Sequence, residues 1–320
     1  MQPFVSVVLR WYHSHGSHTF VYYQLITQYT HTHTANHENK SPVLDACFSP
    51  DGSTVFSVGG DNAVRMWQLG QPNAPNNVPR QIGVHDTPAK AVRFIKASNL
   101  VVSAGWDRKL KFWDTRSPNP AGVMDLPERA YAMDARDGLL VVATADRQMI
   151  VYDVTGQPRE HARKESPLKH QTRCVACFPD QSGFAIGSIE GRVGIQYNKE
   201  MKTPNKDSFA FKCHRHNTTE VYPVNAIAFH NHFGTFATCG GDGVVNFWDK
   251  DNKQRLKGFE RLPRTVSAAS FNQQGSMFAY ALSYDWSQGS MNLQPGNDIF
   301  VHHVLEDEIR PKNKSSTRRN

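Results

Sequence analysis

The feature that most constrains this chain is a motif it repeats. A small or hydroxyl residue leads into a turn that holds an acid, an alternating apolar stretch follows, and an aromatic beside a polar residue closes the unit. It reads Ser57-Val-Gly-Gly-Asp61-Asn-Ala-Val-Arg-Met-Trp67, then Ser103-Ala-Gly-Trp-Asp107-Arg-Lys-Leu-Lys-Phe-Trp113-Asp114, then Thr238-Cys-Gly-Gly-Asp242-Gly-Val-Val-Asn-Phe-Trp248-Asp249. Weaker copies end at Tyr152-Asp153 and at Gln196-Tyr197. From Trp67 to Trp113, Tyr152, Gln196 and Trp248 the steps are 46, 39, 44 and 52 residues. A unit of that length cannot bury its apolar face alone and must stack against its neighbours.

Each unit opens on a half-buried strand such as Val43–Phe48 or Val224–Phe229, followed by a turn like Ser49-Pro-Asp-Gly52. A second strand, the acid turn and a third strand of period two complete the pattern. These lengths predict an all-β fold, a WD40 β-propeller with loop insertions. Five repeats are clear between Ser41 and about Lys257. A sixth runs through Thr265–Phe271, Phe278–Leu282 and Ile299–Val304, with Ser287 to Asp298 as an inserted loop. In one blade His85, Ser103, Asp107 and Trp113 have the spacing of a hydrogen-bonded structural tetrad, which would satisfy buried polar groups and pin the blade to its own loops. The sequence shows all four members in that blade alone.

Charge divides the chain. Its formal net charge is +7, and Arg310, Lys312, Lys314, Arg318 and Arg319 supply five of those charges in an acid-free stretch, so residues 310–320 read as a basic tail on a nearly neutral body, residues 41–309. Such a tail suits either an acidic partner or a solvated end. Five cysteines, an odd count in 320 residues, fit a reducing compartment better than a disulfide framework. No apolar run reaches the length of a membrane helix, and the start lacks a secretory pattern, so a soluble intracellular chain without membrane insertion is expected. Residues 1–40 are unlike the rest: seven aromatics, six of the fifteen histidines, and only Arg10, Glu38 and Lys40 as charges. They read as an atypical segment, either a degenerate first blade or an aberrant start. Thr30-His-Thr-His-Thr34 matches no standard metal spacing.

No catalytic constellation emerges. Cys174-Val-Ala-Cys177 has half a zinc spacing, but on an alternating strand the two thiols point to opposite faces, and no second pair completes a site. Lys212-Cys213-His214-Arg215 contains possible ligands but is no site by itself. Phosphate-binding loops, nucleophile elbows and paired-histidine zinc motifs are missing from the sequence. The expectation is a non-enzymatic protein without metal or cofactor, acting by surface recognition.

Ser188-Ile-Glu-Gly-Arg-Val-Gly-Ile195, Phe209-Ala-Phe-Lys-Cys-His-Arg215 and Tyr222–His230 resemble two sister WD40 families, the messenger RNA export factors of the nuclear pore (Rae/Gle family) and the Bub-type mitotic checkpoint proteins. Ser166–Ala176, Leu110–Ser117, Ser283-Tyr-Asp-Trp-Ser-Gln-Gly289 and Arg310-Pro-Lys-Asn-Lys314 favour the export family. The resemblance spans about Ser41 to Lys314 and implies a seven-bladed propeller with six blades recognisable here. It also implies an adaptor in messenger RNA export, located in the nucleus at the pore and able to shuttle to the cytoplasm. The implied partners are a GLFG nucleoporin carrying a hairpin-like GLEBS peptide and single-stranded RNA or messenger ribonucleoprotein. The alternative is a spindle-checkpoint adaptor binding GLEBS peptides of checkpoint kinases. Carried over by motif, Arg192 would meet an acidic pair of the peptide, with Lys212 and Arg215 as weaker contacts. Phe211, Trp248, Lys253 and Arg255 would form an aromatic and basic RNA patch, Trp248 doubling as the aromatic that ends its blade.

Overall fold

The computed structural model describes residues 41–69, 79–198, 206–285, 287, 289 and 296–312. The readings of residues 1–40, and of Lys314, Arg318 and Arg319 in the tail, lie outside the described residues. Within them the chain is an all-β propeller of six blades, each an antiparallel meander. The first blade holds β1 (Val43–Phe48), β2 (Thr54–Gly59), β3 (Ala63–Gln68) and β4 (Arg80–Val84), and the second β5 (Ala89–Ile95), β6 (Leu100–Gly105), β7 (Lys109–Trp113) and β8 (Pro120–Asp125). The third holds β9 (Ala130–Arg136), β10 (Leu139–Thr144), β11 (Gln148–Asp153) and β12 (Arg159–Glu165), and the fourth β13 (Thr172–Cys177), β14 (Gly183–Ser188), β15 (Arg192–Tyr197) and β16 (Phe209–Lys212). In the fifth are β17 (Val224–Phe229), β18 (Phe236–Gly240), β19 (Val245–Asp249) and β20 (Gln254–Gly258). The sixth has three described strands, β21 (Val266–Phe271), β22 (Met277–Leu282) and β23 (Asp298–His303), and a single helical turn, α1 (Glu306–Ile309), follows.

The first strands of the blades pack in series, β1 on β5, β5 on β9, β9 on β13, β13 on β17 and β17 on β21. They line a central channel of about 1040 Å³. Middle strands are apolar on both faces because a neighbouring blade covers each: every residue of β10 and β14 is buried. Outer strands face water on one side, so β12 (Arg-Glu-His-Ala-Arg-Lys-Glu) carries charge throughout.

Two local devices recur. The acid of each turn is followed by a left-handed residue, Asn62, Arg108, Arg147, Gly191 and Gly243, with φ between 60° and 76°. The acid carboxylate accepts the N–H two residues on, from Ala63 to Asp61, Lys109 to Asp107, Gln148 to Asp146 and Val244 to Asp242, which is why short acids suit this position. At Gly243 the turn also needs the missing side chain, since a Cβ would lie 2.4 Å from the Leu262 carbonyl oxygen. The second device is a bulge in every channel-lining strand. Val43 pairs with Gly59 and Asp45 with Val58, leaving Leu44 unopposed; Lys90, Tyr131, Arg173, Asn225 and Ser267 are left out in the same way. A bulge re-aims its extra residue, and all six line the channel.

The first residues of the basic tail are not free. Arg310 lies over the Phe233 ring and pairs with Glu306, and the Lys312 carbonyl accepts from Asn252 and Gln254.

Candidate peptide and RNA interface

The tetrad forms one continuous chain of hydrogen bonds. Trp113 Nε1–H donates to Ser103 Oγ at 2.7 Å, Ser103 Oγ lies 2.7 Å from His85 Nε2, and His85 Nδ1 lies 2.9 Å from the Asp107 carboxylate. With the proton assigned to Nδ1, every donor finds an acceptor. The sequence reading confined this chain to one blade, and the structure corrects it. His214 Nδ1 is 2.9 Å from Asp242, its Nε2 is 3.0 Å from Thr238 Oγ1, and Trp248 Nε1–H donates to the same hydroxyl at 2.9 Å. The second tetrad was missed because the loop between His214 and β17 is longer than that between His85 and β5, which hid the histidine among the basic residues around it. His85 and His214 are both fully buried, as histidines held by their own blades.

The cysteine pair divides as strand geometry requires. Cys174 Sγ points to the Val224 carbonyl on one side, and Cys177 Sγ to Asp134 on the other. Burial pushes the Cys174 thiol up to about 12, and that of Cys177 well above its usual range. Among the described residues no cluster of three or more His, Cys, Asp or Glu could hold a metal ion.

Three cations gather at the acid turn of the fourth blade. Arg192 opens β15 directly after Gly191, and the ladder sets it opposite Lys212 at the end of β16. Arg215 folds back over the turn, its Cγ 2.9 Å from where a Cβ on Gly191 would stand, so glycine is what admits it. Glu190 Oε2 lies 3.6 Å from Arg192 Nε and 3.8 Å from His170 Nε2. Among the described residues that carboxylate is the one negative group paired within the cluster; Lys212 is exposed, and Arg215 Nε is buried without a hydrogen-bond partner. The site can accept one or two further carboxylates.

The aromatic and basic residues meet at the junction of the fourth and fifth blades. Phe211 and Trp248 are in ring contact, with centroids 4.8 Å apart, and Lys253 Nζ sits 4.6 Å above the Phe209 ring. Arg255 pairs with Trp248 across the β19–β20 ladder. Phe211 and Trp248 are half-buried while Lys253 and Arg255 are exposed, and Trp248 is fixed by its bond to Thr238. Phe209 was not counted in the RNA patch from sequence, although its alternation with Phe211 along β16 was a visible signal.

Comparison with known proteins adds identity to this geometry. The WD domain, G-beta repeat family matches residues 27–68, 77–114 and 207–249. The last two matches coincide with the blades holding complete tetrads, and the first begins inside the atypical segment. An mRNA export factor of Xenopus tropicalis is 48% identical over 294 residues, covering 88% of this chain and 78% of the relative. The mRNA export factor of Bos taurus is 49% identical over the same length and shares. The mRNA export factor GLE2 of Chaetomium thermophilum is 42% identical over 283 residues, 86% of this chain and 77% of the relative.

Proposed function

The chain belongs to the mRNA export factor family of WD-repeat propellers, a family of non-enzymatic scaffolds, and from that premise we propose that it is an adaptor linking messenger ribonucleoprotein to the nuclear pore. Its peptide partner is an acidic nucleoporin segment of the GLEBS type, taken up by Arg192, Lys212 and Arg215. The observation that carries this reading is their convergence on one turn with, among the described residues, a single carboxylate between them. A guanidinium grips a carboxylate through two parallel bonds, and Arg192 is two-thirds covered, so part of that strength survives solvent screening. The names of the relatives favour export over the checkpoint alternative. They also favour the nucleus and its pore as the site of action; shuttling to the cytoplasm is a further part of this proposal.

RNA binds at Phe211, Trp248, Lys253 and Arg255, with bases against the aromatic edge and phosphates on the two cations. Two phosphate contacts to a single strand give a slope of about −1.4 in a log–log plot of affinity against salt. Calorimetry tests the peptide site: Arg192→Glu weakens binding of an acidic GLEBS peptide by about 2 kcal/mol. Unchanged affinity, with the variant folded by circular dichroism, overturns the assignment.

A further inference from the structure

The bulged residues of the channel-lining strands form a ring at the channel mouth, and three in succession are polar donors: Lys90, Tyr131 and Arg173. Deeper in the channel the charges are already balanced. Arg93 spans two blades, with Nη1 2.6 Å from Asp45 and Nε 2.9 Å from Asp134. Those carboxylates are further used by the N–H groups of Val92 and Cys177. Among the described residues, the cations of the ring above make no ion pair. Arg173 is held by neutral acceptors, the Asn225 side-chain oxygen and the Asp285 backbone carbonyl, both at 3.2 Å, which fix the guanidinium without neutralising it. Among the described residues neither the Lys90 ammonium nor the Tyr131 hydroxyl has a hydrogen-bond partner. Asp285 also lines the channel, but its Oδ1 accepts the Ser287 N–H within its own loop. Trp106 stands exposed at the rim.

The geometry points to a phosphate-binding site at the channel mouth, with Lys90, Tyr131 and Arg173 as its three donors. Two cations that make no ion pair among the described residues match a dianion, and three donors from three neighbouring blades match the several acceptor oxygens of a tetrahedral group. A lone carboxylate would leave one cation unpaired. Burial, with the charges of Arg173 and Arg93 and against that of Asp45, pulls the Lys90 ammonium below the usual lysine range, an unfavourable state that a bound dianion relieves. The site is separate from Arg192, Lys212 and Arg215 and does not depend on the peptide reading.

Titration of the full chain with inorganic phosphate, followed by calorimetry and by phosphorus NMR, tests this. A phosphoserine peptide run in parallel separates a free from a side-chain phosphate, the tighter binder being the source. Lys90→Gln and Arg173→Gln each weaken binding about tenfold or more, and Tyr131→Phe, which removes only the hydroxyl, weakens it about threefold. Lys96→Gln, an exposed charge beyond the other end of β5, leaves binding unchanged. Failure of both probes to bind at millimolar concentration overturns the site. So does an equal loss in Lys96→Gln, which would mean diffuse attraction, or full retention of binding in folded Tyr131→Phe and Lys90→Gln.

Discussion

The second and third blades lie side by side, make the same strands and turns, and hold themselves together by different chemistry. Counted from the acid of the turn, Ser103, Asp107 and Trp113 in the second blade correspond to Val142, Asp146 and Tyr152 in the third. Counted back from the first strand, His85 corresponds to Leu126. Where the second blade buries a chain of hydrogen bonds, the third buries Leu126, Val142 and Tyr152 in one apolar cluster. Both keep the acid and the left-handed residue behind it, Arg108 and Arg147. The reversal of the chain therefore depends on the acid turn, and the buried core behind it has two solutions. A fully satisfied polar network and an apolar replacement of similar shape are energetically close; a half-satisfied network is not.

Three substitutions break or sharpen that contrast. The largest effect belongs to Trp113→Ala, which removes a buried indole and leaves Ser103 short of a donor; about 3–5 kcal/mol is lost in a denaturant titration. Next comes Ser103→Val, which puts the third blade's residue into the second blade's network. It leaves His85 Nε2 and Trp113 Nε1–H buried without partners and costs about 1–3 kcal/mol. Adding His85→Leu and Trp113→Tyr to it recovers part of that loss, because the apolar solution is then complete; a triple variant weaker than the single one contradicts the equivalence of the two cores. The smallest effect is on pH dependence. Although burial opposes it, hydrogen bonding and charge from His85, with the Asp86 N–H and Lys111, hold the Asp107 carboxyl below its ordinary range. A depressed carboxyl stabilises the fold above its unfolded pKa of about 4, and that contribution fades as pH falls through the folded value. Asp107→Asn therefore melts lower at neutral pH, yet its melting temperature declines less steeply than that of the unaltered chain below about pH 4.

The same contrast explains what could be read in advance. The repeat, the strands Val43–Phe48 and Val224–Phe229, and the extent of the sixth blade were legible because alternation and acid turns are local properties. The outer strands were not. Arg159–Glu165 looks like a solvated charge run, and it pairs only because β11 offers an open edge. His214 escaped notice because a long loop separates it from β17, so its role depends on where that loop returns, which spacing does not encode. The cations were chosen by resemblance. That Arg215 covers Gly191 and leaves its Nε unsatisfied is a matter of packing that no pattern of residues reveals. The ring of bulges was equally hidden, because Lys90, Tyr131 and Arg173 share a structural position and no residue type.

The central claim, that this propeller is an export adaptor working through the turn of its fourth blade, is tested most directly by recovery of partners from nuclear extract. The intact chain and a variant with Arg192, Lys212 and Arg215 all changed to Glu serve as paired baits, with circular dichroism establishing that both are folded. The account predicts that the intact chain recovers a GLFG nucleoporin and that the variant loses it. Equal recovery by both baits, or recovery of checkpoint kinases without any nucleoporin, contradicts it.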